Sequence, residues 1–359
     1  MPRRRRIARE RGVPVYWELA GVPAVAVRRG TRVESVHHVA ACAADVDGEI
    51  VLRVGTVETP VFLRSSAKPF IAAASVRAGV LEEFGFGERE LAVMCASHNG
   101  EPGHVELVAS MLARIGATVD DLGCGAHPPS FEPAAAVLAA RGERPSQLHN
   151  NCSGKHAGIL ALAKKLGAPF AGYLDASHPA QRAVIAMCER VSDDLFDGDK
   201  LAVDGCGIPA YATTLHKAAV SFARLATLRG VDDADATALA RVAAAMANEP
   251  WYVAGTGRFD TDLMRATRGR IVCKAGAEGF HCDALLDAGL GVALKVIDGS
   301  RRAAPPATLA VLDALHGLEP DARMALRPHA VVPVKNVAGK AVGEVAALDG
   351  WIPAEAPAR

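Results

Sequence analysis

The sequence predicts an α+β fold: one sheet assembled from strands at both ends of the chain, with a helical lobe inserted between them. Three observations predict it. Short β-rich runs broken by turn signals fill the N-terminal part, apolar residues recur at helical spacing through the middle, and strand patterns return after residue 270. A cleft between sheet and lobe follows from such an arrangement and is a preferred place for a small-molecule site.

The elements follow in order. Residues 22–27 are apolar, residues 37–42 follow, and residues 49–54 are mostly apolar, with Asp47-Gly48 between the last two as a hairpin signal. Residues 70–80 form an apolar helical run, with Ser65 and Lys68 at its start and Pro69 suited to its first turn. Residues 91–95 read as strand-like. Val105, Val108, Leu112 and Ile115 keep helical spacing, and Gly116 stops the run. Ile159, Ala163 and Leu166 repeat the pattern up to Gly167, and Ser177 is placed to cap a helix through Val184, Cys188 and Val191. Pro209 is expected to open a helix through Leu215, Ala218, Phe222 and Leu225, and residues 234–247 form one more. Strands return at 270–274 and 291–297, followed by Asp298-Gly299. A helix over 306–315 and a strand over 331–334 complete the pattern.

Bulk properties mainly exclude. Lys plus Arg and Asp plus Glu both number 40, so the net charge of zero supports neither a nucleic-acid partner nor a membrane-surface role. Aromatics at 5% are too few for base-stacking platforms, and no run approaches the roughly 18 apolar residues of a membrane span. The opening MPRRRRIARERG lacks the apolar region of an export signal and reads as a disordered basic extension rather than a twin-arginine leader or nucleic-acid arm. The expected organisation is a basic extension over 1–22, a single domain over 23–350 and a tail over 351–359. Eight dispersed cysteines without a C-x-x-C pair are expected to be reduced thiols of a cytoplasmic protein.

Three motifs fall in one order: Ser65-Ser66-Ala67-Lys68, Ser97-His98-Asn99 and Lys274-Ala275-Gly276. Read as S-x-x-K, S-x-N and K-x-G, they follow the order of active-site parts in serine acyl-transferases of the penicillin-binding and β-lactamase type. A serine hydroxyl needs a nearby base to become a nucleophile, and a lysine three residues on lies on the same helical face. A second lysine in the same cleft makes it costly for both to stay charged, so one can be neutral and accept a proton. The 150–156 segment and the 204–209 segment add two cysteines, each expected at a helix N-terminus, which lowers thiol pKa. From spacing alone, Cys152, Cys206 and His156 are candidate zinc ligands, though the residues by themselves favour reading the two cysteines as ordinary buried thiols.

Five blocks together are similar to the rhizobial-type (class 3) L-asparaginases: Arg64-Ser65-Ser66-Ala67-Lys68-Pro69, Cys95-Ala96-Ser97-His98-Asn99-Gly100-Glu101, Asn150-Asn151-Cys152-Ser153-Gly154-Lys155-His156, Asp204-Gly205-Cys206-Gly207-Ile208-Pro209 and Lys274-Ala275-Gly276-Ala277-Glu278-Gly279. The resemblance spans roughly residues 23 to 350. It implies a serine-β-lactamase-like fold, a homodimer, and two Ser–Lys tandems, Ser65 with Lys68 and Ser97 with Lys274. It also implies one zinc per chain on Cys152, Lys155 and Cys206, which replaces His156 by Lys155 and leaves His156 to the substrate. The implied reaction is hydrolysis of the side-chain amide of L-asparagine to aspartate and ammonia. Charge complementarity offers Arg64 and Asp204 to the substrate's carboxylate and amino group. Two rivals stand beside this reading: another serine acyl-hydrolase of the same fold, and a non-catalytic amino-acid-binding protein. Spacing speaks against the first, since 32 residues separate Ser65 from Ser97 and 177 separate Ser97 from Lys274.

Overall fold

Eleven strands and a set of helices appear in this computed structural model, which describes residues 19–353. Most of the basic extension and the last six residues lie outside the described residues.

The strands are β1 (Val22–Arg29), β2 (Arg32–Ala44), β3 (Ile50–Val54), β4 (Val61–Phe62), β5 (Leu201–Val203), β6 (Pro209–Thr213), β7 (Ile271–Ala275), β8 (Phe280–Leu285), β9 (Leu290–Val296), β10 (Val331–Lys335) and β11 (Ala341–Ala347). The main sheet runs β10-β11-β1-β2-β9-β8-β7, with β3 also paired to β2, and every pairing is antiparallel. Both ends of the chain therefore build one sheet, as the patterning predicts, and the segment between β4 and β7 is mostly helical. The Asp47-Gly48 turn closes β2 on β3: Gly48 takes a left-handed φ of 88°, and the Asp45 carboxylate accepts from the backbone N–H groups of Asp47 and Glu49. β8 is buried at all six positions, so both faces of the sheet are covered there. The helix Leu215–Thr227 packs against β9, β2 and β8.

Two buried helices form the centre of the lobe. Lys68–Arg77 buries every residue from Lys68 to Val76, and Ser153–Lys165 buries every residue from Ser153 to Ala163. A helix apolar on all sides belongs inside a larger structure, and both are enclosed by other helices. Each carries a lysine in its first turn. The helix Glu88–Met94 approaches Ser153–Lys165 at Gly154, where an added Cβ would meet the Val93 carbonyl oxygen at 2.2 Å. Among the described residues no helix is long and apolar enough to cross a membrane.

Four local expectations are corrected. Residues 91–95 belong to the helix Glu88–Met94 and the residue that follows it, because a short apolar run has no distinguishing period. Pro209 opens a strand, and the next helix starts at Leu215 behind Thr214, whose side chain accepts from the Lys217 N–H. The helix Pro179–Ser192 is capped by His178 rather than Ser177. Cys152 does sit at a helix N-terminus, but Cys206 lies in the β5–β6 turn, so the helix-end argument applies to only one of the two.

Candidate active site

Residues from all five sequence blocks line one cavity of about 460 Å³, where the β7–β8 turn meets loops of the helical lobe. Ser65, Ser97, Asn150, Asn151, Cys152, Asp204 and Gly276 are among its walls.

Ser65 lies in the single 3-10 turn Arg64–Ala67 that leads into the helix Lys68–Arg77. Its neighbour Arg64 holds φ at 51°, a left-handed conformation that costs energy for a residue with a Cβ and tends to cluster at functional sites. Lys68 is 1% exposed and runs into the interior, where its Nζ donates to Ser97 Oγ at 3.0 Å and to the Ala96 carbonyl. Burial pulls the Lys68 pKa below the ordinary lysine range.

The Ser97 turn is fastened to a distant one. The Ser97 N–H donates to the Val253 carbonyl at 2.9 Å and the Asn99 N–H to the Ala254 carbonyl at 3.0 Å. Asn99 Nδ2 donates to the Thr256 carbonyl, and the Glu101 carboxylate accepts from both Thr256 N–H and Oγ1 at 2.8 Å. The polar residues of this block thus hold two loops together rather than facing solvent.

Lys274 is fully buried on β7, its Nζ donating to the Ala275 carbonyl at 2.7 Å and standing 3.6 Å from Asp260 Oδ2. Burial brings its pKa down to about 8, helped by the Lys68 charge and opposed by Asp260. Its own carbonyl accepts from Ser66 Oγ at 2.8 Å, which ties the Arg64–Ala67 turn to the sheet.

The contacts cross the expected tandems. Lys68 bonds Ser97, Lys274 faces Asp260, and Ser65 makes no side-chain hydrogen bond among the described residues. Lys68 opens its helix as a buried residue, and its amine is taken up by the Ser97 turn. Arg64 and Asp204 are paired with each other, Nε to Oδ1 at 2.7 Å, rather than standing apart.

Cys152, Lys155 and Cys206 converge. Lys155 Nζ donates to Cys206 Sγ at 2.8 Å, and the Cys206 thiol bonds Cys152. That bond, with the nearby Lys155 and Lys68 charges, holds the Cys152 thiol well below its usual range despite burial. Burial would lower Lys155, but the two sulfurs outweigh it and hold its ammonium form above the ordinary range. Two sulfurs and an amine nitrogen in contact are the donor chemistry that zinc takes, and the proton on Lys155 occupies the place such an ion would compete for. His156 Nδ1 meets the Tyr173 hydroxyl at 2.6 Å, while its Nε2 is buried without a partner among the described residues.

Several cavity residues carried no sequence expectation, Arg258, Asp260, His281 and Arg301 among them. Arg258 and Asp260 come from the segment Gly255-Thr256-Gly257-Arg258-Phe259-Asp260, where two glycines beside a cation and an acid were the available signal. His281 lines the cavity from β8, with Nε2 held by Asp283 at 3.0 Å. Potential ligand atoms of Asp260, Cys273 and His281 lie within 4.8 Å of one another, but the Asp260 carboxylate is engaged by Lys274 and by the Ala275 N–H.

A family model described as L-asparaginase II matches residues 25–347. No curated protein sequence matches the chain. Two structures of Mglu are among the solved structures that resemble it. A crystal structure of Mglu shares 15% identity over 78% of this chain and 67% of that chain, with a TM-score of 0.36. Mglu in its native form in the presence of 4.3M NaCl shares 15% identity over 80% of this chain and 59% of that chain, with a TM-score of 0.34. The chain thus spans about three-fifths to two-thirds of the solved chains, and these likenesses are too weak to assign a fold.

Proposed function

The chain belongs to the L-asparaginase II family and is an amidohydrolase, and from that premise we propose that it hydrolyses L-asparagine to L-aspartate and ammonia by a Ser–Lys mechanism beside a zinc site. The observation that carries the mechanism is a buried lysine, Lys68, with its amine on the Ser97 hydroxyl and no carboxylate within ion-pair distance among the described residues. Such an amine is poised to be neutral and to accept a proton.

Ser65 is the nucleophile in this reading, because its hydroxyl faces the cavity uncommitted while that of Ser97 is bound. Attack on the side-chain carbonyl forms a Ser65 ester and releases ammonia, the hydroxyl proton passing through Lys68 to the leaving nitrogen. Water then cleaves the ester, with the same amine as base. Ser97 and Lys274 complete the proton network. Cys152, Lys155 and Cys206 would hold zinc, which when bound supplies a fixed positive centre that orients the substrate. The same reading takes residues 23–350 as a single domain of serine-β-lactamase-like fold, acting as a homodimer.

The test is ammonia release from L-asparagine by the wild type, Ser65→Ala and Lys68→Met. Wild-type turnover with both variants nearly inactive is expected. A Ser65→Ala rate within about tenfold of wild type, a loss of only ~1.4 kcal/mol of transition-state stabilisation, excludes Ser65 as the nucleophile.

A further inference from the structure

We propose that Arg258, with Arg301 beside it, is the anchor for the α-carboxylate of the substrate amino acid, an inference that rests on the asparaginase reading and goes beyond it. The charges around the cavity lead there by elimination. Arg64 is occupied by Asp204, and Asp260 by Lys274. Arg258 and Arg301 also line the cavity, and neither has a carboxylate within ion-pair distance among the described residues. Arg258 is half-buried, and its Nη1 donates to the Ser97 carbonyl at 3.3 Å. One guanidinium hydrogen bond thus fixes the cation beside the proposed reacting centre and leaves its other donors for a ligand.

An uncompensated cation withdrawn from water is costly, and the cost falls when an anion with complementary geometry arrives. A carboxylate offers two oxygens to the planar guanidinium fork, whereas a lone amide carbonyl offers one. Asp204, which lines the same cavity and bonds Arg64 through Oδ1, keeps Oδ2 as an acceptor for the substrate's ammonium. A zwitterionic L-amino-acid amide spanning these two poles would be held at its α-carbon, which leaves the side-chain amide as the part free to reach Ser65. The fastening of the Ser97 turn to the 253–258 segment then has a purpose: Asn99 and Glu101 fix the loop from which Arg258 projects.

The test uses the full-length enzyme and two amides, L-asparagine and 3-aminopropanamide, which keeps the amide and amine but lacks the carboxylate. Arg258→Met should lower kcat/KM for L-asparagine by about 10- to 150-fold, chiefly through KM, as expected for a lost charge-assisted hydrogen bond. It should leave 3-aminopropanamide nearly unchanged. Arg258→Lys, which keeps the charge without the fork, should fall between, and serves if the methionine variant does not fold. Equal losses on both amides, or unchanged L-asparagine kinetics in a folded variant, overturn the proposal. Calorimetric binding of L-aspartate should weaken in the Arg258 variants by a similar factor. Wild-type protein that binds L-aspartate through Arg258 yet releases no ammonia would sink the hydrolase reading and leave the anchor standing. Full wild-type turnover with L-aspartate affinity unchanged in the variants would do the reverse.

Discussion

Replacing Asp260 by asparagine should move the pH dependence of catalysis to lower pH. The Asp260 carboxylate stands 3.6 Å from Lys274 Nζ and favours the charged ammonium. At an effective dielectric of about 20, that separation corresponds to about 5 kcal/mol, or roughly 3 pKa units. The Ala275 carbonyl also holds the ammonium and water reaches the cavity, so a fall of about 1–3 units is expected. Lys274 begins at about 8 in the intact protein. Arg258, and Lys68 whenever it carries a proton, push in the same direction as the substitution. If neutral Lys274 completes the proton network, kcat/KM for L-asparagine rises with pH to a midpoint near 8, and in Asp260→Asn that midpoint falls to about 5–7. Asparagine still offers an oxygen to the Ala275 N–H, which limits collateral damage. The assay is ammonia release at low substrate across the pH range. A midpoint that stays put or moves upward refutes the assignment of the titrating group.

The other expectations can be checked alongside it. Lys274 should also leave a mark on stability: with its pKa lowered to about 8, the unfolded chain binds the extra proton between about 8 and 10.5, so stability from this group rises with pH over that window and Lys274→Met abolishes the rise in melting temperature. Purified protein should carry about one zinc per chain, weakened by Cys152→Ser or Cys206→Ser and retained in His156→Ala, with KM affected more than kcat; elemental analysis and kinetics read both, and metal-free protein of full activity ends the zinc reading. Gly154→Ala should destabilise by about 1–3 kcal/mol through overpacking against the Val93 carbonyl, visible in thermal melts, while an unchanged melt would show that the two helices are not packed so closely.

The site was more legible than the path to it. Five blocks dense in Ser, Lys, Cys, Asn and Gly all reach the cavity, because chemistry-bearing residues beside glycines are seldom placed for packing alone. Their pairing was not legible: whether Lys68 meets Ser65 or Ser97 depends on where the Ser97 turn sits, and that turn is fastened to residues 253–256, far along the chain. β8 escaped notice because His281 and Asp283 alternate with apolar residues on a strand buried on both faces, their one shared hydrogen bond leaving no pattern in the sequence. Pro209 suits the first position of either a strand or a helix, and only pairing with β4 and β5 decides.

The fastening of residues 97–101 to residues 253–256 also sets a timetable. Its bonds join positions 155 and 157 apart in sequence, and that from Arg258 to Ser97 joins positions 161 apart. Closing loops of that length is entropically slow compared with winding the intervening helices. The helices can consolidate early, but the Ser97 turn acquires its shape only when the chain beyond residue 253 arrives, and Lys274 joins later still. A ribosome-bound chain that has emerged only as far as the helix Asp233–Asn248 would therefore hold Ser97 in a turn not yet fastened, and the interval between compaction and first turnover during refolding should measure how long that last closure takes.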